Sequence, residues 1–288
     1  MKKLSRISAA SLWCARAAQR GPVVFVPTMG ALHEGHAALI RRARRVAGKN
    51  GSVVVSIFVN PTQFGPKEDL TRYPRPFAQD VAVCKREGVD LLFHPTPSEM
   101  YEGDASVTVS ESRLSIGLCG ASRPGHFNGV CTVVAMLFNI VRPTIALFGE
   151  KDWQQLAIIR RMVRDLKMRI KIIGHPTVRE EDGLALSSRN LLLTPEARTL
   201  ASRIYQALLA TEMEAEAGET SVAKLHRGLL KDLTAIPGAV VDYAEIVDGE
   251  TLEPLQKLQK GIPARALVAV KLGSVRLIDN LRLPCRKS

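Results

Sequence analysis

Short runs of β-branched residues alternate with longer stretches whose apolar positions recur at helical spacing, and this alternation restricts the chain to folds in which crossover helices join parallel strands. The succession runs through residues 23–26, 37–46, 53–59, 77–87 and 89–93, a βαβαβ rhythm, and resumes at 129–141, 145–148, 153–166 and 170–173. The expectation is an α/β fold with a Rossmann-like, mostly parallel sheet covered by helices on both faces. Such sheets bind ligands beyond the carboxyl ends of their strands. After about residue 188 the pattern changes to helical stretches over 195–217 and 221–234, then β-rich segments 240–247, 266–272 and 275–278. Gly273-Ser274 has the chemistry of a tight hairpin turn, so a smaller α+β C-terminal domain with an antiparallel sheet is expected, dividing the chain into 1–187 and 188–288. With 288 residues and 46% hydrophobic content the chain can bury cores of this size, and it contains no internal repeat or low-complexity tract.

The net charge of +12 gives a surface that attracts anions. Only Arg41, Arg42, Arg44 and Arg45 cluster tightly, and aromatics make up 5%, which argues against a basic stripe with base-stacking platforms. The five cysteines, Cys14, Cys84, Cys119, Cys131 and Cys285, form no CxxC pair, so reduced thiols in a cytoplasmic protein are the expectation. The basic start is followed by an apolar stretch interrupted by Ser, Trp, Cys and Arg, so no signal peptide is expected. No run approaches the roughly 18 apolar residues needed to cross a bilayer.

Polar sets fall where strands end. The first follows residues 23–26 as Pro27-Thr28-Met29-Gly30-Ala31-Leu32-His33-Glu34-Gly35-His36. A helix starting near the second histidine offers amide N–H groups and a positive dipole end to a phosphate, and Gly30 and Gly35 allow close backbone approach. His33 and His36, three apart, can point into the same space and donate to charge that grows on a transferring phosphate. Zinc would need a third protein ligand, and neither HExxH nor a cysteine pair supplies one. The second set is Gly149-Glu150-Lys151-Asp152-Trp153-Gln154-Gln155, in which Lys151 can neutralise phosphate; Asp152 and Gln155 also fit a helix cap and its partner. The third, Leu186-Ser187-Ser188-Arg189-Asn190, carries hydroxyl and guanidinium donors but also reads as a polar linker. The fourth, Asn60-Pro61-Thr62-Gln63-Phe64-Gly65, places Gln63, both donor and acceptor, beside the same sheet edge.

With these residues in hand the sequence resembles the pantothenate synthetase family, within the wider group of nucleotidyl-transferring enzymes that carry an HxGH motif. The resemblance runs through residues 26–36, 56–65, Tyr73-Pro74-Arg75, 122–129, 148–155 and 176–190 in family order. It implies ATP-dependent condensation of pantoate with β-alanine through a pantoyl adenylate, releasing AMP and pyrophosphate. It assigns Met29, Gly30, Ala31, Leu32, His33, Glu34, Gly35 and His36 to ATP, with His36 the catalytic histidine and His33 its companion. Gly149, Glu150, Lys151, Asp152, Val178, Leu186, Ser187, Ser188 and Arg189 are likewise given to the nucleotide, with Lys151 acting in catalysis. Gln63 and Gln155 match residues that hold pantoate, Gln63 also lying near β-alanine. Mg²⁺ is expected to ride mainly on the ATP phosphates, with no protein metal site. The family further suggests a homodimer using small-molecule substrates, with no nucleic-acid or membrane partner, and a C-terminal domain that closes over the active site. Arg123 and His126 fall on a family motif with no role assigned. Leu186, Cys119 and Asn128 depart from the family's usual methionine, glutamate and arginine. A lid over residues 65–75 is expected from its Gly, Pro and charge content. The rival readings are another HxGH nucleotidyltransferase, a synthetase fragment included, and a basic nucleic-acid-binding protein.

Overall fold

The computed structural model describes residues 1–66, 68 and 70–284. Cys285 and, within the expected lid, residues 67 and 69 lie outside them. Two compact units emerge, the first comprising Met1–Ser115, Arg123–Glu150 and Ile158–Pro176. The second comprises Ile116–Ser122, Lys151–Ala157 and the described residues from Thr177 onward.

In the first unit, β1 (Lys2–Leu4), β2 (Val23–Thr28), β3 (Ser52–Ile57), β4 (Leu91–Phe93), β5 (Ile145–Gly149) and β6 (Lys171–His175) form one sheet in the order β1-β4-β3-β2-β5-β6. Every neighbouring pair is parallel. Val23, Val24, Phe25 and Val26 are wholly buried, which is why β2 is an unbroken apolar run. Successive side chains point to opposite faces. Val24 and Val26, with Val53, Val55, Leu92 and Leu147, pack on Leu39, Ile40 and Ala43 of the helix Glu34–Ala47. Phe25 on the other face meets Phe138 edge-on at 6.4 Å, and Phe138 meets Phe148 at 6.4 Å, seating the helix His126–Val141. Truncating Phe25 to alanine would cost about 3–5 kcal/mol. Strand order departs from β2 in both directions, through β3 and β4 on one side and β5 and β6 on the other, so the switch point lies between the carboxyl ends of β2 and β5.

The expected α/β sheet with helices on both faces is therefore present. Sequence reading missed the edge strand β1 and the helix Ile7–Ala18.

In the second unit, β7 (Ala239–Asp248), β8 (Ala264–Leu272) and β9 (Val275–Arg282) make an antiparallel sheet in that order. Leu272 pairs with Val275, leaving Gly273-Ser274 as the two-residue turn, and Gly273 has φ +59°. Leu225, Leu229 and Leu233 of the helix Val222–Thr234, which lies against β7, share one buried core with Ala266, Val268 and Val270 of β8. The expected helix over 195–217 is two, Pro195–Ala201 and Arg203–Glu216, with Ser202 between them. The first begins where the Thr194 hydroxyl accepts from Ala197 N–H at 3.2 Å and proline occupies the opening turn.

Candidate active site

At the end of β2 the Thr28 hydroxyl donates to the Ser56 carbonyl at 2.7 Å and accepts from Gly30 N–H at 3.2 Å. Gly30 and Ala31 then take positive φ values of 82° and 49°, turning the chain sharply. The turn closes on Asp80, from the helix Phe77–Arg86, whose carboxylate accepts from Ala31 N–H at 3.0 Å and Leu32 N–H at 2.7 Å. Asp80 is 1% exposed, and burial pushes its carboxyl above the ordinary range against the pull of those two amides. A Cβ on Gly30 would sit 2.9 Å from Asp80 Oδ2 and 3.0 Å from Ile57 Cγ2. Glycine is thus required here by the fold itself, where sequence reading gave it only to ligand approach.

The histidines cap their own helix. His33 N–H donates to His36 Nδ1 at 3.3 Å and Gly35 N–H to His33 Nδ1 at 3.1 Å, with the rings 4.1 Å apart. Each neutral ring must therefore carry its proton on Nε2. The Gly35 amide, expected to face a phosphate, is held by imidazole, as those of Ala31 and Leu32 are held by carboxylate. Glu34 is exposed and pairs with Arg41, which also reaches Glu87 at 3.2 Å. Met29 lies over the neighbouring loop, where its sulfur accepts from Gln63 Nε2 at 3.0 Å.

Gln63 is buried in the turn Pro61–Gln63 after β3. Its Oε1 accepts from Asn60 Nδ2 at 3.2 Å, and Asn60 Nδ2 also donates to the Gly129 carbonyl at 3.1 Å. Its own carbonyl accepts from His126 Nδ1 at 2.8 Å, while Arg123 donates to His126 Nε2 at 3.0 Å. Arg123 forks onto Glu68 at 2.6 and 2.7 Å. Burial alone would raise the Glu68 carboxyl, but the hydrogen bonds and charge of Arg123 hold it below its usual range. The Arg123 and His126 motif, without a role in the sequence, is a clamp on the backbone of the Gln63 turn. At the end of β5, Gly149 has nothing within 4 Å of where a Cβ would stand, so packing does not demand glycine there, and Glu150 opens the short turn Glu150–Asp152.

The remaining candidates belong to the second unit. Lys151 and Asp152 are half-buried, and the Lys151 carbonyl accepts from Asn280 Nδ2 at 2.8 Å. Of the two glutamines that follow, Gln154 is buried, accepting from Cys119 N–H at 3.0 Å and donating to the Gly117 carbonyl at 2.8 Å. Gln155 is half-buried. Leu186 N–H donates to the Val178 carbonyl at 3.0 Å and Glu180 N–H to the Leu184 carbonyl at 2.9 Å, so Val178 and Leu186 are partners in a small hairpin. Arg179 anchors it, forked on Asp279 at 2.6 and 2.9 Å with its guanidinium 3.7 Å over the Tyr205 ring. Ser187 Oγ accepts from Arg189 N–H at 3.3 Å, starting the turn Ser188–Leu192, and Asn190 Nδ2 reaches Glu180 at 3.2 Å and the Ala185 carbonyl at 3.1 Å. The serine and arginine set is a built corner and not a linker. Of the departures from the family pattern, Cys119 Sγ lies 3.2 Å from Tyr243 OH and 3.5 Å from both terminal nitrogens of Arg276, and Asn128 is exposed. Sequence reading missed Asp80, Asn60 and Asn280; only Asn60 carried a signal, its place two residues ahead of Thr62 at a strand end.

The family model described as pantoate-beta-alanine ligase matches residues 2–282. A pantothenate synthetase of Akkermansia muciniphila is 55% identical over 91% of this chain and 92% of its own length. The crystal structure of pantothenate synthetase from Thermus thermophilus matches with a TM-score of 0.91 at 49% identity, covering 99% of this chain and 100% of that one. A pantoate-beta-alanine ligase from Francisella tularensis, complexed with beta-gamma ATP and beta-alanine, matches with a TM-score of 0.80 at 35% identity over 98% of this chain and 97% of that one.

Proposed function

The chain belongs to the pantoate–β-alanine ligase family, and from that premise we propose that it makes pantothenate in two steps joined by a pantoyl adenylate. In the first, a carboxylate oxygen of pantoate attacks the α-phosphorus of ATP, and the bond to the bridging oxygen breaks to release pyrophosphate. In the second, the free amine of β-alanine attacks the adenylate carbonyl, the bond to the AMP oxygen breaks and the nitrogen gives up a proton. Adenylation thus supplies the leaving group that amide formation needs.

The observation that carries this reading is the histidine pair at the switch-point end of β2. With both Nδ1 atoms accepting from backbone, His33 and His36 offer Nε2–H donors set rigidly for the negative charge that builds on the transferring phosphate. His36 acts as the catalytic histidine with His33 beside it, and Met29, Gly30, Ala31, Leu32, Glu34 and Gly35 form the nucleotide loop around them. Gly149, whose open side packing leaves unexplained, suits close approach of a ligand to the strand end, followed by Glu150. Lys151 neutralises phosphate; Asp152, Val178 and the corner of Leu186, Ser187, Ser188 and Arg189 complete the nucleotide contacts. Gln63, locked at both its side chain and its carbonyl, orients pantoate and lies by β-alanine, and Gln155 is the second pantoate contact. The Francisella relative solved with an ATP compound and β-alanine supports the choice of both substrates.

Mg²⁺ is proposed to ride on the triphosphate, where it would screen charge. The proposal extends to a homodimer in the cytoplasm, which light scattering and cell fractionation test; among the described residues no helix is long and apolar enough to cross a membrane.

Pyrophosphate release from ATP and Mg²⁺ tests the function. It should require pantoate, give pantothenate only when β-alanine is added, and collapse in His36→Ala. Release without pantoate would return the chain to the other HxGH nucleotidyltransferases.

A further inference from the structure

A carboxylate buried to 1% exposure is costly unless its oxygens are satisfied, and both oxygens of Asp80 are used on consecutive amides of one turn, Ala31 and Leu32. Those amides belong to the two residues immediately before His33. The turn they stabilise is strained: Ala31 carries a Cβ at φ +49°, a conformation that non-glycine residues rarely adopt and that persists only where surroundings hold it. Gly30 lets the carboxylate come this close, since a Cβ there would stand 2.9 Å from Asp80 Oδ2. Downstream, His33 N–H and His33 Nδ1 form one side of each hydrogen bond that orients the two rings. The direction in which His33 enters the helix thus depends on how the preceding turn is held.

We propose that Asp80 is a positioning residue for the adenylation step, fixing the 30–32 turn so that the His33 and His36 rings keep the orientation in which their Nε2–H groups face the transferring phosphate. This rests on the histidine reading given above and adds to it a residue far away in sequence that touches no substrate. Asp80→Asn keeps size and shape but leaves one oxygen where two amides donate and brings an NH₂ against the other, so the turn loses a bond and gains a donor–donor clash.

A double-mutant cycle with single-turnover pyrophosphate formation is the test, using the full chain with ATP, Mg²⁺ and pantoate, in wild type, Asp80→Asn, His36→Ala and the double variant. Asp80→Asn should slow the step by on the order of 10- to 100-fold, the scale of a small misplacement of reacting groups. In the His36→Ala background the same change should cost less than about threefold, because the ring it positions is gone. Equal factors in both backgrounds, the signature of a role in folding alone, would overturn the proposal, as would an undiminished rate in Asp80→Asn. An undiminished rate in His36→Ala would overturn the histidine reading and this proposal with it. If Asp80→Asn does not fold, Gly30→Ala enters the cycle in its place, since it pushes on the same contact from the turn side, and the same unequal factors are expected.

Discussion

Gly129 sets two opposing effects against each other. It lies in the first turns of the helix His126–Val141, where replacing glycine by alanine ordinarily stabilises by about 1 kcal/mol. Yet a Cβ there would stand 2.5 Å from the Thr62 carbonyl oxygen, 2.6 Å from its carbon and 2.7 Å from Gln63 N, all backbone atoms that cannot turn aside. The helix must back away from the Pro61–Gln63 turn, a strain on the order of 1–3 kcal/mol. Retreat also stretches the bonds from Asn60 Nδ2 to the Gly129 carbonyl at 3.1 Å and from His126 Nδ1 to the Gln63 carbonyl at 2.8 Å, each worth about 1 kcal/mol. The clash wins, and Gly129→Ala should be destabilising by about 2–4 kcal/mol, lowering the thermal midpoint by roughly 4–8 °C. Because Gln63 moves with its turn, the KM for pantoate should rise several-fold at a temperature where the variant is folded. Differential scanning calorimetry and initial rates measure both. An unchanged or raised midpoint would mean that helix propensity prevails and that the close approach of helix and turn does not exist in solution.

Other outcomes follow from the same geometry. The Glu68 carboxyl, held by Arg123 below its ordinary value of 4.5, contributes stability that is complete above pH 4.5 and is lost as pH falls through the lowered value. The midpoint difference between wild type and Glu68→Gln should therefore hold near neutrality and vanish in acid, and a difference that grows in acid would contradict the pairing. Burial pushes the Cys14, Cys84 and Cys131 thiols up to about 12, so iodoacetamide at pH 7.5 should leave them unlabelled by mass spectrometry until the protein is unfolded. Rapid labelling of any of the three in native protein would show that the core opens. Lys151→Gln should slow pyrophosphate formation on the order of 10²-fold while leaving the thermal midpoint within about 1 °C, the pattern of a group that meets charge on the substrate. A loss of midpoint matched to the loss of rate would make Lys151 structural.

The sheet was readable because its strands are buried on both faces: Val23 to Val26 and the run through Val55 leave no alternative to a covered parallel sheet. The edge strand β1 escaped because three residues, two of them lysines, carry no β pattern; their pairing with β4 is decided by a segment almost ninety positions away. The break at Ser202 is unmarked by proline or glycine, and the apolar spacing of the two helices runs on across it. That the two histidine rings lie together at the end of β2 was legible because they stand three apart just past a strand. Asp80 was not: in its own helix it is one polar residue among several, and its meaning comes from amides 48 and 49 positions earlier. Arg123 and His126 could be noticed as a motif but not interpreted, because their target is a backbone carbonyl that no sequence pattern displays.

The proposed two-step route turns on adenylation at the α-phosphorus, which isotope transfer addresses without a mutant. Pantoate labelled with ¹⁸O in both carboxylate oxygens is incubated with ATP, Mg²⁺ and β-alanine, and the products are weighed by mass spectrometry. AMP should carry one ¹⁸O and pantothenate retain the other, with none in pyrophosphate. Label in inorganic phosphate, with ADP as the nucleotide product, would mean attack at the γ-phosphorus and refute the adenylate.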